Sequence, residues 1–326
     1  MRVDTTVVET NIHYPTDSSL LGDGVRVLTR TMKKITNIAG AAGAKLRDRS
    51  RSVKRRVLEI ARSTRAKGRQ NSDRLAQAYQ RLLAATGRVV GQAKRFAKEI
   101  DVGVKRAAEG SRQAVLHGLR RELESMVPLV QQVMRQTTAR VFAGDIHAAG
   151  KIVSLFEPTT EVIRKGKAGK PTEFGKMVKL QEAENQIVVA YEVYDRRPSD
   201  QDILMAAIET HQARLGRTPH LVAADAGFYS GKNEAAAKAK GVKRVCIPNR
   251  STKSPERKRE QKKRWFRQGQ KWRTGSEGRI SVVKRRHGLN RSRYRGEAGI
   301  KRWVGLGVIA DNLVNISRAM ANQPGP

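Results

Sequence analysis

Val and Thr dominate the opening stretch "RVDTTVVETNI", and the pattern predicts a strand that Pro15 and the Asp17-Ser18-Ser19 cluster bring to an end. From about Val25 to Arg140 apolar residues recur at helical spacing instead, most clearly at Val115, Leu119, Leu123, Met126, Val130 and Met134. Gly68, Gly87, Gly103, Gly110 and Pro128 are expected to punctuate or kink this stretch into several antiparallel helices. Beyond Gly150 strand patterns return, first in "KIVSLFEP", then in "FGKMVKLQ" and "QIVVAYEVY". The last two flank the turn-like "EAEN" and read as a hairpin. A helix over residues 199–215 opens on Ser199 as N-cap, a short strand runs to Asp225 between Pro219 and Gly227, and a helix near residues 232–240, a strand "VKRVCIP" and further helices complete the chain.

Charge changes this picture most. The 326 residues carry 66 Lys and Arg against 30 Asp and Glu, a net charge of +36 that a compact fold bears only against self-repulsion. A polyanion, with nucleic acid foremost, is the natural partner. Over residues 25–140 there are 28 basic and 8 acidic side chains, and 28 minus 8 leaves +20 in this stretch alone. Such one-signed excess favours a helical face that meets phosphates by backbone contact. The longest apolar run, "WVGLGVIADNLV", is interrupted by Asp311 and Asn312 and is too short to span a bilayer, so no membrane role is expected. A single cysteine, Cys246, excludes an internal disulfide and fits a reducing cytoplasm, and the six histidines show no zinc-ligand spacing.

Three acids stand out. Asp225 falls at the carboxyl end of a predicted strand, where ligands bind in open α/β sheets. Asp4 interrupts the apolar first strand, where burial is costly without a partner. Arg273, Glu277, Ser281 and Lys284 fall on one face of a helix expected to start at Gly275-Ser276. Carboxylates from two strands and a helix could hold two Mg²⁺ (or Mn²⁺) ions about 4 Å apart, an arrangement suited to phosphodiester displacement. Glu157 and Asp145 compete for the first position; Asp4 fits better because a two-stranded hairpin must follow the first strand. With the helical stretch set aside, the element order is that of an RNase H-like sheet. "RKGKAGKPT" lacks the spacing of a phosphate loop and reads as a basic loop on DNA backbone through Arg164, Lys165 and Lys167. The block from residue 249 to 273, with eleven Lys and Arg around Trp265, Phe266 and Trp272, reads either as a DNA-facing loop that includes Arg264 or as a basic loop with its rings packed on the core. "GFYSG" is not a nucleophile elbow.

In "DTTVVETNIHYPTDS", "VSLFEP", "IRKGKAGKPTEFG", "ADAGF" and "RTGSEGRISVVKR" the chain resembles DDE-type transposases of bacterial insertion sequences. The last stretch matches that family's spacing of Arg, three residues, Glu, six residues, Lys. The resemblance implies an α/β fold: an RNase H-like mixed sheet flanked by helices, with a long basic helical insertion between the first and second core strands. It divides the chain into a first strand (1–20), the insertion (21–148), the rest of the catalytic core (149–320) and a tail (321–326). It implies Asp4, Asp225 and Glu277 as catalytic metal ligands, Arg273 and Lys284 as DNA contacts, and cleavage at element ends followed by strand transfer. Double-stranded DNA is then the partner, a homodimer or larger assembly on DNA the working form, and the bacterial nucleoid the location. Two departures are visible: Gln270 stands where the family often has Tyr, and no helical domain precedes Asp4, as if the front of the reading frame were missing. The alternatives are an RNase H-like nuclease without strand transfer and a noncatalytic basic DNA-binding remnant.

Overall fold

The computed structural model describes residues 1–39, 45–64, 69–104, 110–164 and 171–321. Strand β1 (Arg2–Glu9) is followed by four helices, α1 (Asp17–Ala39), α2 (Ser50–Ser63), α3 (Arg69–Val104) and α4 (Gly110–Phe142). Then come β2 (Glu161–Arg164), β3 (Thr172–Glu182), β4 (Val188–Val193), α5 (Asp200–Leu215), β5 (Leu221–Ala223), α6 (Gly231–Ala239) and β6 (Arg244–Cys246). Helices α7 (Pro255–Lys262), α8 (Arg264–Arg286) and α9 (Gly296–Ala321) complete the chain. It folds as two compact units, one of Met1–Asn11 with Thr159–Pro326, the other of Ile12–Pro158.

The first unit is built on a six-stranded mixed sheet in the order β2-β3-β1-β5-β6, with β4 also pairing β3. Strands β1 and β3 run antiparallel with Asp4 opposite Leu180, and β4 continues the meander on the far side of β3. Beside β1 the direction changes: β5 is parallel to it, with Arg2 opposite Ala223, and β6 is parallel to β5. Both faces of the sheet are covered because β1 is apolar on both. Val3 and Val7 pack with Ile203, Leu204 and Ile208 of α5, while Val8 packs with Val283 of α8 and Ile300 and Val304 of α9. This mixed sheet flanked by helices is compatible with an RNase H-like fold.

The second unit is helical, with a core drawn from all four helices, including Leu28, Val53, Leu82 and Leu123. Two breaks expected from sequence do not end helices there. Gly87 lies inside α3 and Pro128 inside α4, so the cost of these residues, about 1 and 3 kcal/mol, is offset by burying a long apolar stripe. Gly110 is the first residue of α4, and Gly68 lies outside the described residues. "KIVSLFEP" is not a strand either. The backbone of Ile152 is satisfied from both sides by the Gln136 side chain of α4, and Leu155 drops into the helical core. An apolar alternation needs only somewhere to bury its residues, and here helices supply it.

Candidate active site

Asp4 sits in the middle of β1 and Asp225 two residues beyond the end of β5. In the parallel register Arg2 faces Ala223, so Asp4 and Asp225 are each two positions onward from that pair, on adjacent strands about 5 Å apart. Alternation also puts both on one face. Val8 shares the parity of Asp4 and packs with Val283 of α8, and Ala223, two residues before Asp225, packs with Phe266 of α8. The backbone of Asp225 stays extended (φ −71°, ψ 164°) before the chain turns at Ala226–Phe228. Each carboxylate accepts from the next backbone amide, Asp4 from Thr5 and Asp225 from Ala226, both at 2.7 Å.

Glu277 rides on α8, which lies over that face. The helix is pinned at one level where the buried Arg2 guanidinium donates to the Trp272 carbonyl at 2.7 Å, and at another where Val283 meets Val8. Glu277 falls between the two, on the stretch of helix that spans the level of Asp4. Its carboxylate is mostly exposed and accepts from Arg273 at 3.1 Å. Among the described residues no group of three or more His, Cys, Asp or Glu side chains could hold a metal ion as they stand. The structure thus brings Asp4 and Asp225 together and leaves Glu277 engaged with its own helix.

Helix α8 is longer than the sequence suggests. It does not start at Gly275-Ser276 but at Arg264, and α7 occupies much of what reads as a basic loop. The aromatic residues of that block pack inward: Phe266 is buried against Ala223 and Cys246, with Trp265 and Trp272 beside it. Gly269 and Gly275, the latter expected as a helix start, allow close packing: a Cβ at either would stand 2.6 Å from Cys246 Sγ or Arg2 Nη1 respectively. Of the expected DNA contacts, Arg264 is exposed at the start of α8 and Arg164 is exposed at the end of β2. Lys284 is largely buried, with its ammonium 3.8 Å from Glu173. Lys165 and Lys167 lie outside the described residues. The competing acids belong to the helical unit, where Glu157 is buried and Asp145 is exposed and caps the amide of His147 at 2.7 Å.

Three residues not singled out by sequence shape this region. Arg2, on the same face as Asp4, forms a buried ion pair with Glu182 at 2.6 Å and lies over the Trp272 ring. Burial pushes the Glu182 carboxyl above its ordinary range despite that partner. Asp200, at the start of α5, accepts from the Thr5 hydroxyl at 3.1 Å, and its carboxylate would stand 3.0 Å from a Cβ at Gly227. It braces the loop that follows Asp225 against β1. The only sequence sign of Asp200 is its place behind the Ser199 cap, which reads as helix initiation.

The mixed sheet thus carries two aspartates side by side beneath a helix that bears Arg273 and Glu277. Residues 232–317, which include Arg273, Glu277 and Lys284, match the family model described as the transposase DDE domain. This part of the chain is therefore similar to the DDE domain of transposases. Comparison with curated proteins and with solved structures returns no match. Among the described residues no helix is long and apolar enough to cross a membrane.

Proposed function

We propose that the protein is a DNA transposase that cuts phosphodiester bonds at the ends of its element and joins the freed 3′ hydroxyl to target DNA, with Asp4, Asp225 and Glu277 as the working acids. The observation that supports this most is the register that sets Asp4 beside Asp225 on the face covered by α8. As hard oxygen donors on adjacent strands, these two carboxylates suit Mg²⁺ or Mn²⁺, which commonly takes one or two carboxylates and fills its remaining positions with water and phosphate oxygens. Such ions, when bound, supply charge stabilisation for both the attacking and the leaving oxygen of the phosphodiester.

The chain's own residues provide orientation. Arg2 ties β1 to α8 and so fixes the level of Glu277 relative to Asp4, and Asp200 holds the loop after Asp225. Arg273 is buried along its stem and now bonds Glu277. A phosphodiester offers that guanidinium a competing anion, and exchange of partners would release the Glu277 carboxylate toward the aspartates. Lys284 has the same choice between Glu173 and phosphate. On this reading residues 12–158 are a helical insertion in an RNase H-like core.

Asp225→Asn is expected to lower Mg²⁺-dependent cleavage of duplex DNA by at least about 1,000-fold, since it removes a ligand worth several kcal/mol of transition-state stabilisation. DNA affinity should be unchanged or higher, because a negative charge beside the phosphates is gone. A variant that still cleaves removes Asp225 from the site. A second reading, a noncatalytic DNA-binding protein, draws on the Glu277–Arg273 pairing, and wild-type protein that binds duplex DNA but neither binds Mn²⁺ nor cleaves would favour it.

A further inference from the structure

In the helical unit, the segment preceding α2 is held in place from two sides. Its Lys45 carbonyl accepts from Gln92 of α3 at 3.0 Å, and Asp48 pairs with Lys33 of α1 at 2.6 Å. Asp48 also accepts from the Ser50 amide, and its carboxyl is held down at about 2, first by the Lys33 bond. That acid is fully engaged. Arg47 and Arg49 project from the same segment, with Arg49 donating to the Arg47 carbonyl at 3.4 Å. On α3, Arg88 and Arg95 stand four residues before and three after Gln92, hence on the helix face that receives the segment.

Arg49 feels the other three guanidiniums. The Arg49 guanidinium is held below its ordinary value, by desolvation first and then by Arg47, Arg88 and Arg95. Among the described residues none of the four is paired with a carboxylate. Helix α2 begins beside them with no acid in its first turn and no cap from its N-cap residue, Arg49; Asp48 takes up the Ser50 amide, and the remaining first-turn amides add to the same field. Like charges gathered at a helix start whose one neighbouring acid, Asp48, is taken up by Lys33 and the Ser50 amide are unfavourable in the free protein and are relieved by a bound anion.

We propose that Arg47, Arg49, Arg88 and Arg95 form a grip for the phosphate backbone of duplex DNA, separate from the carboxylate site of the α/β unit. The span from Arg88 to Arg95 is about 10.5 Å along the helix, while one DNA strand carries a phosphate every 3.4 Å or so of axis, so a row of phosphates fits better than a single ion. Ring stacking on bases has no support here, because α2 has no aromatic residue and Tyr79 and Phe96 of α3 are buried in the core. The grip reads no sequence. It rests on the transposase reading only for the choice of DNA as the polyanion.

The test is binding of the full chain to two duplexes of unrelated sequence, titrated against salt, for wild type, the R47Q/R49Q/R88Q/R95Q variant, the R88Q/R95Q variant and Asp225→Asn. The fourfold variant should lose affinity equally on both duplexes, with a slope of log K against log salt shallower by about 2 to 4, and R88Q/R95Q should show about half of that. Asp225→Asn should keep the wild-type slope, so a failed cleavage assay and a failed grip are distinguishable. In buffer without phosphate the fourfold variant should melt no lower than wild type, since it relieves repulsion. An unchanged slope in the folded R88Q/R95Q variant overturns the proposal, as does loss on one duplex alone. Stabilisation of wild type by millimolar inorganic phosphate with no change in DNA slope would also overturn it, because the cluster would then be a pocket for free anions.

Discussion

In the helical unit most charges stand outside the apolar core, and among the described residues ion pairs such as Lys33–Asp48 and Arg120–Glu124 lie at the surface, while Asp17–Arg140 is partly buried. The α/β unit instead buries ions beside its candidate site. Arg2–Glu182 joins β1 and β3 beneath α8, and Arg279–Asp311, at 2.7 Å, joins α8 to α9. His287 lies 3.4 Å from the same Asp311 carboxylate, Asn315 donates to it, and Gln186 accepts from Arg279 across the β3–β4 turn. Buried pairs are weak sources of stability but demanding about geometry. The contrast is the one the proposed functions call for: a phosphate-gripping surface would tolerate loose positioning of its charges, whereas carboxylates that share metal ions would need the helix above them fixed in rotation and level.

The comparison is tested most severely at Arg279. Arg279→Ala leaves Asp311 buried without its main partner and should cost about 3 to 5 kcal/mol in urea unfolding, whereas Arg279→Met with Asp311→Leu should recover most of that. Arg88→Ala in the helical unit should stay within about 0.5 kcal/mol. If the two arginines cost the same, the distinction between the units fails. A smaller effect is expected at Gly275→Ala, whose Cβ would stand 2.6 Å from the Arg2 guanidinium. Overpacking of this kind costs about 1 to 3 kcal/mol, and it should largely disappear in an Arg2→Ala background, as a thermal-melt double-mutant cycle would show.

The smallest effect concerns pH. His13 bonds Asp23 at 2.8 Å, which raises its pKa, first through that hydrogen bond. Because the folded value lies above the unfolded one, the stabilisation is fully present below about pH 6.5 and is lost as pH rises through the raised folded value. The ring is half exposed, so screening limits the contribution to about 0.5 kcal/mol. His13→Gln should flatten this part of the stability–pH curve and leave its alkaline limb in place.

Much of the α/β unit is legible in the residues because its strands are marked by Val alternation and by the turn at residues 182–185, and the strand-end position of Asp225 follows from the same pattern. What escapes is contact between distant segments. Nothing local announces that Gly269 and Gly275 admit Cys246 and Arg2 to the surface of α8, so Gly275, which serves close packing, reads as a helix start. Lys284 reads as a free cation because Glu173 is more than a hundred residues away, and "KIVSLFEP" reads as a strand because the role of Gln136 is invisible without the fold. Asp4 and Glu277 show the same limit from the other side. Their residue types and order suggest a shared site, but the Arg273 bond that now holds Glu277 depends on side-chain geometry.

One small contact has a long reach. The hydroxyls of Thr10 and Thr160 are 2.8 Å apart, although 150 positions separate them in the chain, and the Thr10 amide is bonded to the Phe174 carbonyl. The sheet therefore meets the whole intervening polypeptide as a loop whose two mouths already touch. Closure entropy grows only with the logarithm of loop length, so halving or doubling the excursion alters that term by about 0.6 kcal/mol. Shortening or lengthening this excursion should accordingly have little consequence for the strands it springs from.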